Sequence, residues 1–120
     1  MVGDLSFISL KLVLPAIVEC MGEGADLLPM VKPQFEVGKD RLEHGGVVRS
    51  ESLRTSATVN VAQYAQTLGL SLRGVVASPL PGPSGNVEYF LWLVKDGGVR
   101  AVEPGKLESM VSAAVQEGPQ

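Results

Sequence analysis

Cysteine, histidine and aromatic residues are all scarce in this chain. A single cysteine, Cys20, excludes an internal disulfide and any cysteine-cluster metal site. It falls within an apolar helical pattern and reads as a buried structural thiol. The only histidine, His44, stands in a Glu-His-Gly-Gly loop with no second His or Cys nearby, so no metal site is expected. Basic excess is absent too. The net charge is −3 and the pI about 5.1, which argues against autonomous nucleic-acid binding. Five of the ten basic residues, Lys32, Lys39, Arg41, Arg49 and Arg54, do fall in one window. Four acids share that window, and a solvated loop is the plain reading. No apolar run approaches the length of a membrane span. The N-terminus has no basic start and no cleavage site, with Asp4 coming at once, so a cytoplasmic protein is expected.

The chain does have a core. With 120 residues, 45% hydrophobic, and a mean hydropathy of +0.21, it should form one domain. The organising stretch is Met30-Val31-Lys32-Pro33-Gln34-Phe35-Glu36-Val37-Gly38. The apolar run Leu27 to Val31 reads as a buried strand, and Pro33 stops it. Lys32 then stands at the carboxyl end of a strand, the edge where open α/β sheets bind ligands. Lysine pKa falls readily on burial, which makes the side chain usable as a general base. The plainer alternative is a snorkelling surface lysine.

Taken in order, residues 1–7 look like the tail of a strand, with Asp4 at its carboxyl end. Ser9 can cap a helix whose face is Leu10, Val13, Leu14, Ile17, Val18 and Met21. Pro15 predicts a kink or a late start in it, and Gly22 and Gly24 end it. Asp26 to Val31 is the second strand, and residues 33–49 form a long loop of the kind that is usually functional or mobile. Ser50 or Ser52 opens a second helix with Leu53, Ala57, Val61, Tyr64, Ala65 and Leu68 on one face; Gly69 closes it. Leu72 to Pro79 and Val87 to Val94 are two strands joined by a turn-rich segment, hence an antiparallel pair. A last helix covers Leu107 to Val115.

This order predicts an α/β fold with four strands, the last one antiparallel, and flanking helices. An open doubly wound sheet normally has more strands, so the chain reads as the C-terminal half of a larger domain. If the fourth strand is antiparallel, its start lies at the edge where the first two strands end. Topology then brings Asp4, Lys32 and Glu88 to one rim. Each has a plainer reading alone: Asp4 as a helix cap, Glu88 as a solvent-facing strand residue.

Four segments carry a resemblance: Asp4-Leu-Ser-Phe-Ile-Ser-Leu, Val31-Lys-Pro-Gln-Phe-Glu-Val-Gly, Gly45-Gly-Val-Val-Arg, and Ser78-Pro-Leu-Pro-Gly-Pro-Ser-Gly-Asn-Val-Glu-Tyr-Phe. In sequence and order they resemble the TlyA (hemolysin A) family, FtsJ-like RNA 2′-O-methyltransferases that use S-adenosylmethionine. The spacings of 28 residues from Asp4 to Lys32 and 56 from Lys32 to Glu88 suit that family. The resemblance implies a partial Rossmann-like methyltransferase sheet, with residues 1–120 forming the C-terminal part of the methyltransferase domain. It implies a catalytic Lys-Asp-Lys-Glu set in which Asp4, Lys32 and Glu88 match and the first lysine has no counterpart. It further implies cofactor contacts at Asp4 and Leu5, RNA contacts at Lys39, Arg41, Arg49 and Asn86, and ribosomal RNA or ribosomal subunits as partners. The family's glycine-rich cofactor loop and its S4-type RNA-binding domain have no match in these 120 residues. Ser50 stands where Asp is expected and Arg54 where His is common, which bears on the entry to the second helix. The expected function is therefore the catalytic half of an rRNA (cytidine-2′-O)-methyltransferase. The alternative is an inactive or degenerate domain that only binds RNA or a partner. Alone, the chain is expected to bind the cofactor poorly and to self-associate through an exposed sheet edge.

Overall fold

The computed structural model describes residues 2–3, 10–33, 50–80 and 86–118 of the chain. Elements follow one another as β1 (Val2–Gly3), α1 (Leu10–Cys20), β2 (Asp26–Val31), α2 (Glu51–Thr67), β3 (Leu70–Ala77), β4 (Tyr89–Lys95) and α3 (Pro104–Glu117). The Ser9 cap and the loop over 34–49 lie outside the described residues.

The strands lie in the order β1-β2-β4-β3. β1 is a two-residue stub that pairs with β2 in parallel, Val2 with Leu28 and Gly3 with Pro29. β4 is inserted between β2 and β3 and runs antiparallel to both. The antiparallel last strand is thus as expected. β3 and β4 each sit about two residues from their expected bounds, but the pairing is the same. The ladder between β2 and β4 runs through Asp26, Leu27, Met30 and Val31 and misses Leu28 and Pro29. Pro29 has no N–H to give, which accounts for the gap.

α1 buries Leu14, Val18 and Met21, the face its spacing predicts. It begins at Leu10, well before Pro15, so there is no late start and the helix continues through the proline. Cys20 is a correction: it is exposed rather than buried. At about 100° per residue it lies a full step round from Met21, off the stripe through Leu14 and Val18. α2 starts on Ser50, whose Oγ accepts the Leu53 N–H at 3.3 Å. It ends at Gly69, whose φ of +87° is a conformation that only glycine adopts cheaply. Its buried side is Arg54, Ala57, Thr58, Val61, Ala62 and Ala65, mostly small residues that let the helix approach the sheet. α3 is longer than expected at its N-terminal end because Pro104, placed in its first turn, starts a helix well. One core cluster joins Leu14 and Val18 of α1, Val61 of α2 and Leu107, Val111 and Val115 of α3 to Leu27, Val31, Leu72, Tyr89, Leu91 and Leu93 of the sheet. The described helices therefore all cover the same face.

Candidate active site

Burial of polar groups is very uneven. Seven polar or charged residues are buried among those described: Lys32, Arg54, Thr58, Ser71, Ser78, Asn86 and Glu88. Three have structural partners close by: Thr58 Oγ1 donates to the Arg54 carbonyl at 2.9 Å within α2, Ser71 Oγ donates to Asp96 at 2.7 Å, and Ser78 Oγ donates to the Leu80 carbonyl at 3.2 Å and accepts the Leu80 N–H at 3.3 Å. Lys32, Ser78, Asn86 and Glu88 all belong to one end of the sheet.

Strand register brings them there. The last pair between β2 and β4 is Val31 with Tyr89, and the last between β3 and β4 is Ala77 with Tyr89. One residue further, Lys32 follows β2, Ser78 follows β3 and Glu88 precedes β4. The Ser78 N–H donates to the Glu88 carbonyl at 2.8 Å, so pairing continues past the formal strand ends. Residues facing each other across adjacent antiparallel strands have Cβ atoms only about 4.5–5.5 Å apart. By the same alternation, Lys32, Ser78 and Glu88 take the side of the sheet opposite to Val31, Ala77 and Tyr89. Lys32 is 6% exposed, Glu88 5% and Asn86 2%. A buried ammonium and a buried carboxylate on adjacent strands are costly to hold unless each has partners. All three residues have partners in the folded chain.

Behind this rim, on the helix-covered face, lies a second polar feature. Tyr89 is fully buried, and its hydroxyl has no hydrogen-bond partner among the described residues. Burial pushes its pKa up, and the neighbouring Arg54 guanidinium, from the first turns of α2, partly offsets that. Arg54 is itself 2% exposed. Sequence reasoning singled out Arg54 only as one of five clustered basic residues and as a departure from a pattern. Ser78 and Tyr89 were visible only as members of a longer motif. An arginine among the small apolar residues of an otherwise well-spaced helix face was the signal available for Arg54.

Of the sequence-predicted site residues, the structure brings together Lys32, Glu88 and Asn86. Asp4, Leu5, Lys39, Arg41 and Arg49 lie outside the described residues. Lys32 does not snorkel, and Glu88 does not face solvent. Chemically, the rim offers a potential proton acceptor, a carboxylate to orient a donor, and a hydroxyl and an amide for hydrogen bonding. No His/Cys/Asp/Glu group suited to a metal ion occurs among the described residues.

Known proteins bear on this arrangement. A family model described as FtsJ-like methyltransferase matches residues 1–95. The chain is 56% identical over 118 residues to the 16S/23S rRNA (cytidine-2′-O)-methyltransferase TlyA of Mycobacterium tuberculosis, covering 98% of this chain and 44% of that protein. It is 33% identical over 94 residues to the 23S rRNA (cytidine-2′-O)-methyltransferase TlyA of Campylobacter jejuni, covering 78% of this chain and 36% of that one. Among solved structures, a hemolysin-like protein of Streptococcus thermophilus matches with a TM-score of 0.84 at 34% identity, over 97% of this chain and 42% of its own. The chain thus spans less than half the length of these relatives. On the family match over most of its residues and the high identity to TlyA proteins, the chain belongs to the FtsJ-like methyltransferase family, on its TlyA branch.

Proposed function

We propose that this chain is the catalytic half of an rRNA (cytidine-2′-O)-methyltransferase that uses S-adenosylmethionine. The observation that carries the proposal is the convergence of Lys32 and Glu88, both buried, at the shared end of β2 and β4. A ribose 2′-hydroxyl is a poor nucleophile at neutral pH and needs a base at hydrogen-bond distance. Lys32 Nζ is the group placed to accept that proton. Glu88 orients the lysine and the hydroxyl, and Asp4 completes the set. Asn86, inside the rim, meets the ribose, while Lys39, Arg41 and Arg49 neutralise the RNA backbone. Ribosomal RNA or a ribosomal subunit is the substrate, and the cytoplasm the place of action. No described helix is long and apolar enough to cross a membrane.

S-adenosylmethionine, when bound, supplies an electrophilic methyl group to the activated oxygen. No Gly-x-Gly-x-x-Gly follows a strand in the sequence, and Asp4 and Leu5 lie outside the described residues. The proposal for these 120 residues is accordingly confined to holding the ribose and removing its proton.

The test uses a chimera in which this chain replaces the matching part of the M. tuberculosis relative. Single-turnover transfer of labelled methyl to unmodified ribosomal subunits is measured with saturating cofactor. Lys32→Met keeps the aliphatic volume and should lower the rate by about 10²–10⁴-fold, the usual worth of a general base. Lys32→Arg should not restore it, because guanidinium stays protonated. A near-parental rate for the arginine variant would leave Lys32 as a backbone contact and remove its role as base.

A further inference from the structure

Tyr89 sits where three strands meet. It pairs with Val31 at the end of β2 and with Ala77 at the end of β3. Glu88 precedes it in the chain, Lys32 follows Val31, and Ser78 follows Ala77. Every rim residue except Asn86 is therefore one peptide unit from Tyr89 or from a residue paired with it. The Tyr89 side chain itself lies in the core cluster, fully buried. Its hydroxyl does nothing for stability there. It has no hydrogen-bond partner among the described residues, and a hydroxyl buried in that way costs the fold free energy that a phenylalanine ring would not. Arg54 is equally out of place. It is buried on a helix face otherwise made of Ala57, Thr58, Val61, Ala62 and Ala65, and a guanidinium is a costly group to take out of water. The two meet: Arg54, from the first turns of α2, is the cation beside the Tyr89 phenol. Two groups that each weaken a core, set against each other beside three strand ends, point to a task other than stability.

We propose that Arg54 and Tyr89 are a positioning pair: the contact between guanidinium and phenol ties the start of α2 to the strand ends and sets where Glu88 stands relative to Lys32, a role that rests on the methyl-transfer reading of the rim. Neither residue touches the ribose, since Tyr89 takes the side of the sheet opposite to Lys32 and Glu88. The coupling runs through the backbone. A tyrosine ring turns about only two torsions, so a hydroxyl held by Arg54 fixes the ring, and the ring fixes the chain at residue 89. Glu88 is the adjacent residue, and its carbonyl accepts the Ser78 N–H at 2.8 Å. A change in ring angle therefore reaches Glu88 through one peptide unit. The lack of a formed hydrogen bond at the Tyr89 hydroxyl is consistent with this role. Hydrogen bonds that serve a reaction are often long in the free enzyme and tighten when substrate binds.

The test places Tyr89→Phe, Arg54→Gln and the two together in the chimera, with Lys32→Met as the control for the reaction itself. Single-turnover methyl transfer is measured against the concentration of ribosomal subunits, with saturating cofactor, and each rate is taken per folded molecule. Tyr89→Phe should lower the maximal rate by about 10–10²-fold, the scale of misplacement at a reacting centre. It should leave the half-saturating subunit concentration unchanged and the urea midpoint at or above that of the parent. A hydroxyl with only a structural role would give the reverse, a lower midpoint with the rate kept. Arg54→Gln should slow transfer similarly, and the double variant should be no slower than the slower single one, because the two residues act as a unit. The Glu88 carboxyl resonance, assigned through Glu88→Gln, is followed by carbon-13 NMR without substrate, and Tyr89→Phe should shift it. If Lys32→Met slows transfer and Tyr89→Phe does not, the pair is overturned and the reading of the rim stands. If Lys32→Met transfers at the parental rate, the reading of the rim falls and the pair falls with it. Losses that multiply in the double variant would overturn the pair. So would a Glu88 resonance that Tyr89→Phe leaves unmoved, whether or not the chimera turns over.

Discussion

The two ends of the sheet hold polar groups for different purposes. At the end where β2 and β3 begin and β4 finishes, the described bonds close a turn or a cap. Lys95 Nζ donates to the Val18 and Met21 carbonyls at 2.8 Å each, tying down the C-terminus of α1. Asp96 accepts from Ser71 Oγ at 2.7 Å and from the Gly98 and Arg100 N–H groups. Gln66 Oε1 accepts the Leu72 and Val102 N–H groups, and its Nε2 donates to the Val102 carbonyl. At the other end, Lys32, Ser78, Asn86 and Glu88 converge from three chain segments, with Arg54 and Tyr89 behind them. One end uses polar groups to satisfy local backbone. The other gathers opposite charges out of water, which a fold seeking only stability gains little from doing. Under the proposed function, the difference separates residues the fold needs from residues the chemistry needs.

Substitution at each end should therefore fail in a different readout. The largest effect expected beyond Lys32 is at Glu88. Glu88→Gln keeps the shape and removes the charge, and should lower single-turnover methyl transfer in the chimera on the order of 10²-fold, the scale of misorientation at a reacting centre. Transfer within threefold of the parent would move Glu88 from the chemistry to the fold. Next comes Lys95→Met, which removes two charged hydrogen bonds to α1 and should destabilise the chain by about 1.5–3 kcal/mol in urea unfolding. An unchanged midpoint would show that the cap contributes nothing. Gly69→Ala forces a side chain into a left-handed conformation and should cost about 1 kcal/mol by the same measurement.

The smallest effect is a pH dependence. The Ser71 hydroxyl, then the Gly98 and Arg100 N–H groups, hold the Asp96 carboxyl below its ordinary 3.8. A depressed carboxylate stabilises fully above the unfolded value and loses that contribution as pH falls through the folded one. Asp96→Asn should therefore flatten the acid limb of thermal stability below about pH 4. An unaltered acid limb would remove Asp96 from the account of this end.

Much of this contrast was legible in the sequence, and unevenly so. The apolar run ending in Lys32-Pro33 located the strand end because a buried strand and a proline stop both leave local signals. The antiparallel β4 followed from the short turn-rich link before Glu88. The register that sets Lys32 against Glu88 was not readable, since it depends on long-range pairing through the Pro29 gap. Arg54 and Tyr89 were missed as neighbours for the same reason: they are far apart in the chain and meet only when α2 packs on β4. Cys20 failed differently. Its apolar surroundings suggested burial, but its angular position on α1 turns it outward.

The most direct test sets the two lysines against each other. Lys32→Met and Lys95→Met are placed separately in the same chimera. Each is measured for single-turnover methyl transfer per folded molecule and for its urea midpoint. The account predicts a crossed result: per folded molecule, Lys32→Met loses transfer by about 10²–10⁴-fold whatever its midpoint, while Lys95→Met loses stability with its transfer rate kept. Equal losses of transfer from the two variants, or a Lys32→Met variant that transfers methyl at the parental rate, would contradict it.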